Sequence, residues 1–384
     1  MNLRLCFLCN EYPPGPHGGI GTMTQVLGRA LQPHCAEVRV LGISRSPSTT
    51  TVREEDQGVQ IWRLPRSTHK LSWIENRFEL YRQAAYWARS GEIDLIEAPD
   101  YEGWIAGWPR LPVPVVARLH GTASYFAAEA GSHAPRLLFA IEKAAMRRAD
   151  FWCSVSQYTA GKTARLFHLD SGPDAILYNP VEPAAAAHRP EGERVVFSGT
   201  LVAKKGVVPL MRAWNEVHRA RPAAELHVYG KDGRTPEGGS MREYLTTLLD
   251  DGARPAVTFH GHVSREGLFE AISSARAAVF PSYAEAFAIA PLETMVRGCP
   301  TIYSTRGSGR ELLEDGREGL LVDPDHPGEI AAGIVRLLTD DAFARSIGEA
   351  GARRVRDRFS TARLVEENLA FYEQCIRRFS SAAR

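Results

Sequence analysis

Residues Phe280–Pro300 read FPSYAEAFAIAPLETMVRGCP. The apolar run that leads into them, AVFPS, predicts a buried strand ending at Pro281. APLETMVRG predicts a helix with Pro291 in its first turn, where proline is well tolerated. Two carboxylates, Glu285 and Glu293, stand with seven residues between them, so Glu285 falls in the loop and Glu293 begins the helix. In an open parallel sheet, ligands lie outside the carboxyl ends of the strands, and free amides at a helix start favour anions there. The loop and helix start are therefore expected to line a crevice. Each glutamate alone also has a plainer explanation: Glu293 caps its own helix, and Glu285 is a solvated loop acid.

At 384 residues the chain is long enough for two domains. Hydrophobic residues at 44% and charged residues at 24% are ordinary globular values. A formal net charge of +1 predicts no bulk attraction to nucleic acid. Six scattered cysteines, mostly in apolar runs, predict buried reduced thiols and a reducing, cytoplasmic setting. Cys6 and Cys9 form a CxxC without a second pair, and on a strand they would point to opposite faces. The N-terminus lacks the pattern of a signal peptide, and no run reaches the roughly 18 apolar residues of a spanning helix. A soluble protein is expected, at most bound at the inner face of a membrane.

The first half opens with the strand LRLCFLCN, the loop EYPPGPHGGIG and the helix TMTQVLGRALQP. Gly18, Gly19 and Gly21 do not make GxGxxG, and the second strand, EVRVLGI, ends without a ribose-binding acid, so a dehydrogenase is disfavoured. The glycines either let amides approach a ligand at the helix start or simply form a turn. A strand at GVQIWRL and a helix over WIENRFELYRQAAYWARS follow. Trp62, Arg63, Arg66, His69, Lys70 and Trp73 form a basic, aromatic patch for an acidic acceptor or a membrane surface, or else a solvated connector. IDLIEAPD ends at Asp100 beside Tyr101, and VPVVARLHGT ends at His120 beside Gly121, both at the ligand edge of a sheet. PRLLFAIEKAAMRRAD predicts an amphipathic helix packed on its own sheet. Asn179-Pro180 opens a Pro/Ala-rich linker.

The second half restarts with the strand RVVFSG, then TLVAKKG and a helix through MRAWNEVHRA. AELHVYG and VTFHGHV predict further strands, TIYST leads to the glycine turn GSGREL, and GLLVDPD closes the sheet. Asp323-Pro324-Asp325 reads as a turn and cap ahead of a helix beginning near Pro327, in preference to a metal-binding acid pair.

The order E-A-F-A-I-A-P-L-E, R-G-C-P-T, G-S-G-R-E-L and G-L-L-V-D-P-D resembles the nucleotide-sugar site of the retaining glycosyltransferases of family 4. The resemblance is strong over about residues 195–325 and looser in the first half. It implies an α/β GT-B architecture: two Rossmann-like, doubly wound parallel-sheet domains facing each other across a cleft. The expected division is 1–182 on the acceptor side, 183–362 for the nucleotide sugar, and 363–384 as a helix crossing back. It implies catalytic roles for His120, Lys205 and Glu285. Donor contacts would come from Gly18, Gly19, Gly21, Thr200, Lys205, His262, Glu285, Glu293 and the amides of Phe287, Ala288 and Ile289. Asp100 and Tyr101 would meet the acceptor. Glu293 would bind the ribose, Glu285 and His120 the donor sugar, and the backbone over His260–Val263 the base. Two positions depart from the family pattern. Thr200 stands where an arginine usually helps the lysine neutralise the diphosphate, which leaves Lys205 with another partner such as Lys204. Ala288 replaces a usual glycine and adds a methyl to the donor pocket.

The implied activity is retaining, metal-independent transfer of a hexose-type sugar from a nucleoside diphosphate to a glycan, lipid-linked or small-molecule acceptor, as in polysaccharide biosynthesis. The nucleotide sugar is a co-substrate, with no metal or other cofactor implied. A nucleotide-sugar epimerase shares the architecture, and Thr200 leaves room for a sugar-nucleotide-binding protein without turnover.

Overall fold

Val, Ile and Leu crowd the strands of two sheets whose inner strands run parallel and are covered on both faces, which is why they read as unbroken apolar runs. The computed structural model describes residues 2–15, 18–45, 49–69, 71–184 and 188–382; Lys70 of the basic patch and linker residues 185–187 lie outside these. The chain divides into two compact units, Met1–Pro180 with Thr361–Arg384, and Val181–Ser360.

In the first unit the strands are β1 (Arg4–Leu8), β2 (Glu37–Ile43), β3 (Val52–Asp56), β4 (Val59–Leu64), β5 (Leu95–Pro99), β6 (Val115–Leu119), β7 (Phe151–Ser154) and β8 (Ala175–Ile176). They lie in the order β3-β4-β2-β1-β5-β6-β7-β8, all parallel except β3, which pairs antiparallel with β4. The connecting helices are α1 (Gly19–Leu31), α2 (Ser72–Arg89), α3 (Ala123–Glu129), α4 (Arg136–Arg148) and α5 (Gln157–Phe167). The order reverses between β1 and β5, which makes their carboxyl ends the switch point of this sheet.

The second unit holds β9 (Arg194–Ser198), β10 (Glu225–Tyr229), β11 (Val257–Gly261), β12 (Ala277–Phe280), β13 (Thr301–Ser304) and β14 (Leu320–Val322). Their order, β11-β10-β9-β12-β13-β14, is that of a doubly wound nucleotide-binding sheet, with the switch point between β9 and β12. Helices α6 (Val207–Ala220), α7 (Met241–Thr247), α8 (Arg265–Ser274), α9 (Ile289–Met295), α10 (Gly309–Leu312), α11 (Pro327–Thr339) and α12 (Asp341–Arg358) complete it. Its core gathers Val195 and Phe197 of β9, Trp214 of α6 and Ile334 of α11, all essentially without solvent contact.

The last helix, α13 (Thr361–Ala382), belongs to the first unit. Its polar Asn368 and Tyr372 are buried there because they meet an ion pair inside the sheet. Arg118 of β6 donates through Nε and Nη2 to Glu97 of β5, both at 2.8 Å. Arg118 also donates to Asn368 and to the Leu177 carbonyl, while Tyr372 donates to Glu97 at 2.7 Å. Among the described residues no helix is long and apolar enough to cross a membrane. The described cysteines are free thiols, and Cys6 and Cys9 are both buried.

Candidate functional site

In the second unit the loops that leave β9 and β12 flank the switch point and are pressed together by backbone contact. Tyr283 N donates to the Lys204 carbonyl at 2.8 Å. Gly206 has φ +71°, and a β-carbon there would lie 1.7 Å from the Pro281 carbonyl oxygen, so only glycine lets the two loops close. This closure brings Lys205 and Glu285 into an ion pair that is mostly shielded from water. Ser282 Oγ approaches the same Glu285 oxygen at 3.4 Å. Partial loss of water draws Lys204 below the usual lysine range, with the charge of Glu285 acting the other way. Thr200 is exposed in the turn just past β9.

Helix α9 begins at Ile289 with Ala288 as its N-cap residue, and no side chain caps it. The Phe287 ring turns inward onto Phe359, 5.4 Å between centroids. Glu293 lies in the body of α9, 9% exposed, with Oε1 3.0 Å from Arg265 Nη2. Burial raises its pKa, against the pull of Arg265. Arg265 also pairs with Glu182 at 3.1 Å, so it spans two carboxylates. His262 is exposed beyond β11, while the preceding His260 stacks on Tyr229 at 4.4 Å. Asp323 and Asp325 both bind Arg306, and Asp323 Oδ1 accepts from Asp325 N at 3.1 Å, which makes DPD a turn held by its own arginine.

In the first unit, His120 lies half-buried at the end of β6. Burial, with the nearby Arg118 charge second, pushes its pKa down to about 3, so the imidazole is neutral at physiological pH. Tyr101 is 39% exposed at the adjoining end of β5. At two of the expected ligand contacts the structure shows partners within the protein. Asp100 is only 2% exposed, and both its oxygens accept backbone amides, from His120 at 2.8 Å and Gly121 at 3.2 Å. It is turned to the protein's own backbone, a strand-end carboxylate satisfying amides that the sheet leaves unpaired. Gly18 is the N-cap of α1 and Gly19 its first residue, but the Gly21 amide is already taken by Glu11 Oε1 at 2.9 Å. The anion at the start of α1 is therefore the chain's own, held also by Arg45 at 3.4 Å.

Sequence reasoning missed Glu11, Glu142 and Arg265. The signal for Arg265 was available: it opens α8 next to the expected base-binding turn. Glu142 sits on the inward face of α4, where only the fold reveals its partners.

Residues 192–340 match the family model described as Glycosyl transferases group 1, and residues 17–185 the one described as Glycosyltransferase Family 4. An uncharacterised glycosyltransferase of Methanocaldococcus jannaschii is 24% identical over 393 residues, with 97% of this chain and 98% of that protein covered. A glycogen synthase of Mycobacterium tuberculosis is 26% identical over 399 residues, with 93% and 91% covered. Among solved structures, sucrose-phosphate synthase from Thermosynechococcus elongatus matches with a TM-score of 0.80 at 22% identity, over 97% of this chain and 98% of that one. Anabaena HepE in complex with UDP and glucose matches with 0.71 at 16% identity, over 96% and 98%. These likenesses show the GT-B fold. With both halves of the sequence matched by models of one kind, the chain belongs to the family 4, group 1 glycosyltransferases.

Proposed function

We propose that the protein transfers a sugar from a nucleoside-diphosphate donor to a hydroxyl of a glycan, lipid-linked or small-molecule acceptor, with retention at the anomeric carbon. The observation that carries this reading is the Lys205–Glu285 pair at the switch point of the second sheet. Breaking the bond from sugar C1 to the phosphate oxygen concentrates negative charge on the departing diphosphate. Lys205, now neutralised by one carboxylate, is drawn to the more highly charged diphosphate, and Glu285 is released to accept hydrogen bonds from donor-sugar hydroxyls. Lys204, beside it, adds a second cation in the place of the missing arginine at Thr200. Fixed lysine charge of this kind performs the task without a metal ion.

Glu293, already oriented by Arg265, accepts from the ribose hydroxyls, and the backbone of Phe287, Ala288 and Ile289 meets the phosphates and sugar. His262 lies beside the base. The neutral His120 imidazole contacts a donor-sugar hydroxyl. Gly18 and Gly19 offer the start of α1 to the ligand, but a phosphate at Gly21 would have to displace Glu11. The acceptor oxygen attacks C1 from the face the diphosphate leaves, and its proton passes to a phosphate oxygen. Tyr101 lies on the acceptor side. The work is placed in the cytoplasm. Leu71, Trp73, Ile74 and Phe78, all exposed on or beside α2, offer an apolar contact to the membrane of a lipid-linked acceptor.

HepE, solved with UDP and glucose, makes uridine diphosphate sugars the first donors to screen, ahead of guanosine and adenosine ones. The test is nucleoside diphosphate release with an acceptor panel, followed by proton NMR of the new anomeric linkage. An α-configured donor should give an α-configured product. An inverted product would refute retention, and absence of both release and thermal shift with every donor would refute the function.

A further inference from the structure

We infer that Asp100 and Glu142 are positioning residues that together set the direction of the His120 side chain; this rests on His120 being a donor-sugar contact. The segment from His120 to Tyr125 joins β6 to α3, and its amides are taken up by side chains from two other places and by one of its own. Asp100, at the end of β5, accepts from His120 N and Gly121 N. Glu142, from the middle of α4 and without solvent exposure, accepts from Ala123 N at 2.9 Å and Ser124 N at 3.1 Å. Thr122 Oγ1, inside the segment, accepts from Tyr125 N at 2.9 Å.

Neither carboxyl is explained by packing. Burying an ionisable group is costly, and an apolar residue at either place would cover the same surface without that cost but would leave two amides of the segment without an acceptor. Burial, with the Glu142 charge adding to it, pushes Asp100 up to about 7, so the protein maintains this carboxyl against its preference for water. What they secure is a turn that cannot slide. Gly121 has φ +89°, and a β-carbon there would meet the Tyr125 and Phe126 rings at 3.0 Å. Asp100 grips the turn at the amides of His120 and Gly121, and Glu142 grips it two residues further on. The imidazole itself has no hydrogen-bond partner among the described residues, so its direction comes from the backbone that carries it. A ligand-contacting ring held through its main chain by two buried acids keeps its nitrogens available for a substrate.

The experiment is a double-variant comparison, read as turnover of the nucleoside-diphosphate sugar that gives product. Asp100→Asn and Glu142→Gln each replace one amide acceptor by an amide donor, and each is made alone and together with His120→Ala. Misplacement of a contact by a fraction of an ångström is expected to lower kcat roughly 10- to 100-fold in the single variants. In the His120→Ala background the same changes should lower kcat by less than about twofold, because the group they position is gone. Equal losses with and without His120 overturn the inference and leave Asp100 and Glu142 as supports of the fold. Undiminished kcat in both single variants overturns it as well. If His120→Ala by itself retains full turnover, the donor-contact reading of His120 falls and the inference falls with it. Should Asp100→Asn fail to fold by circular dichroism, Glu142→Gln alone decides by the same comparison.

Discussion

Replacing Arg118 by Met keeps the length of the aliphatic stem and removes the guanidinium at the centre of the first unit. Arg118 is 1% exposed and Glu97 4%, so the carboxylate left behind has no water to turn to. Asn368 and the Leu177 carbonyl lose a donor in the same step, and among the described residues Glu97 keeps only the Tyr372 hydroxyl at 2.7 Å. Removing one partner of a buried pair costs about 3–5 kcal/mol. For a unit of this size each kcal/mol lowers Tm by about 2–4 °C, so Arg118→Met should melt roughly 6–20 °C below the parent. Urea titration followed by circular dichroism measures the loss. The double variant Glu97→Leu/Arg118→Met should cost less than Arg118→Met alone, because no charge is then stranded. A single-variant loss below about 1 kcal/mol, or a double variant worse than the sum of the two, would refute this account.

Lys205→Ala should lower turnover roughly 10²- to 10³-fold, as removal of one charge-stabilising donor does; normal turnover with unchanged donor affinity speaks against its role. Glu293→Gln should weaken nucleoside diphosphate binding in calorimetry while the melting curve stays sharp, and unchanged affinity removes the ribose contact. Gly206→Ala should destabilise by more than about 2 kcal/mol, since the left-handed backbone alone costs roughly 1–2 and the Pro281 carbonyl stands in the way; a neutral result in denaturation would show that the loops can part freely. The pH dependence of stability follows from two opposed groups. Asp100, raised to about 7, contributes stability that is present at acid pH and lost as pH rises through 7, whereas His120, lowered to about 3, contributes stability present above its ordinary range and lost as pH falls toward 3. Between about pH 4 and 6.5 they offset each other, so Asp100→Asn should unmask a steeper loss on acidification in urea midpoints; parallel curves for parent and variant would contradict these shifts.

The strands were legible wherever both faces are covered, because EVRVLGI and VPVVARLHGT carry their burial in composition. Helix α9 announced itself through Pro291, whereas the part played by the glycine at 206 appeared only with Pro281 packed against it. β3 was not legible: VREED has no apolar alternation and is a strand only because the turn at Gln57-Gly58 folds it back on β4, as a charged edge. Glu97 and Arg118 were hidden for the opposite reason, since a lone charge in an apolar strand says nothing until its partner on the neighbouring strand is known. Glu11 and Asp100 show the limit at the site itself. Composition places an acid near a helix start or a strand end, but whether it turns toward ligand or toward its own backbone depends on amides contributed from elsewhere.

Because Tyr372 and Asn368 complete the Glu97–Arg118 cluster, a sheet that leaves the ribosome before Val181–Ser360 is finished only after it. That sheet must wait, with a charged pair lacking two of its neighbours, while the whole of Val181–Ser360 is made, roughly 10–40 s at ordinary rates of synthesis. A chain cut short before residue 368 inherits that unfinished state permanently, so loss of a few C-terminal turns should harm the amino-terminal sheet more than the unit that immediately precedes the cut.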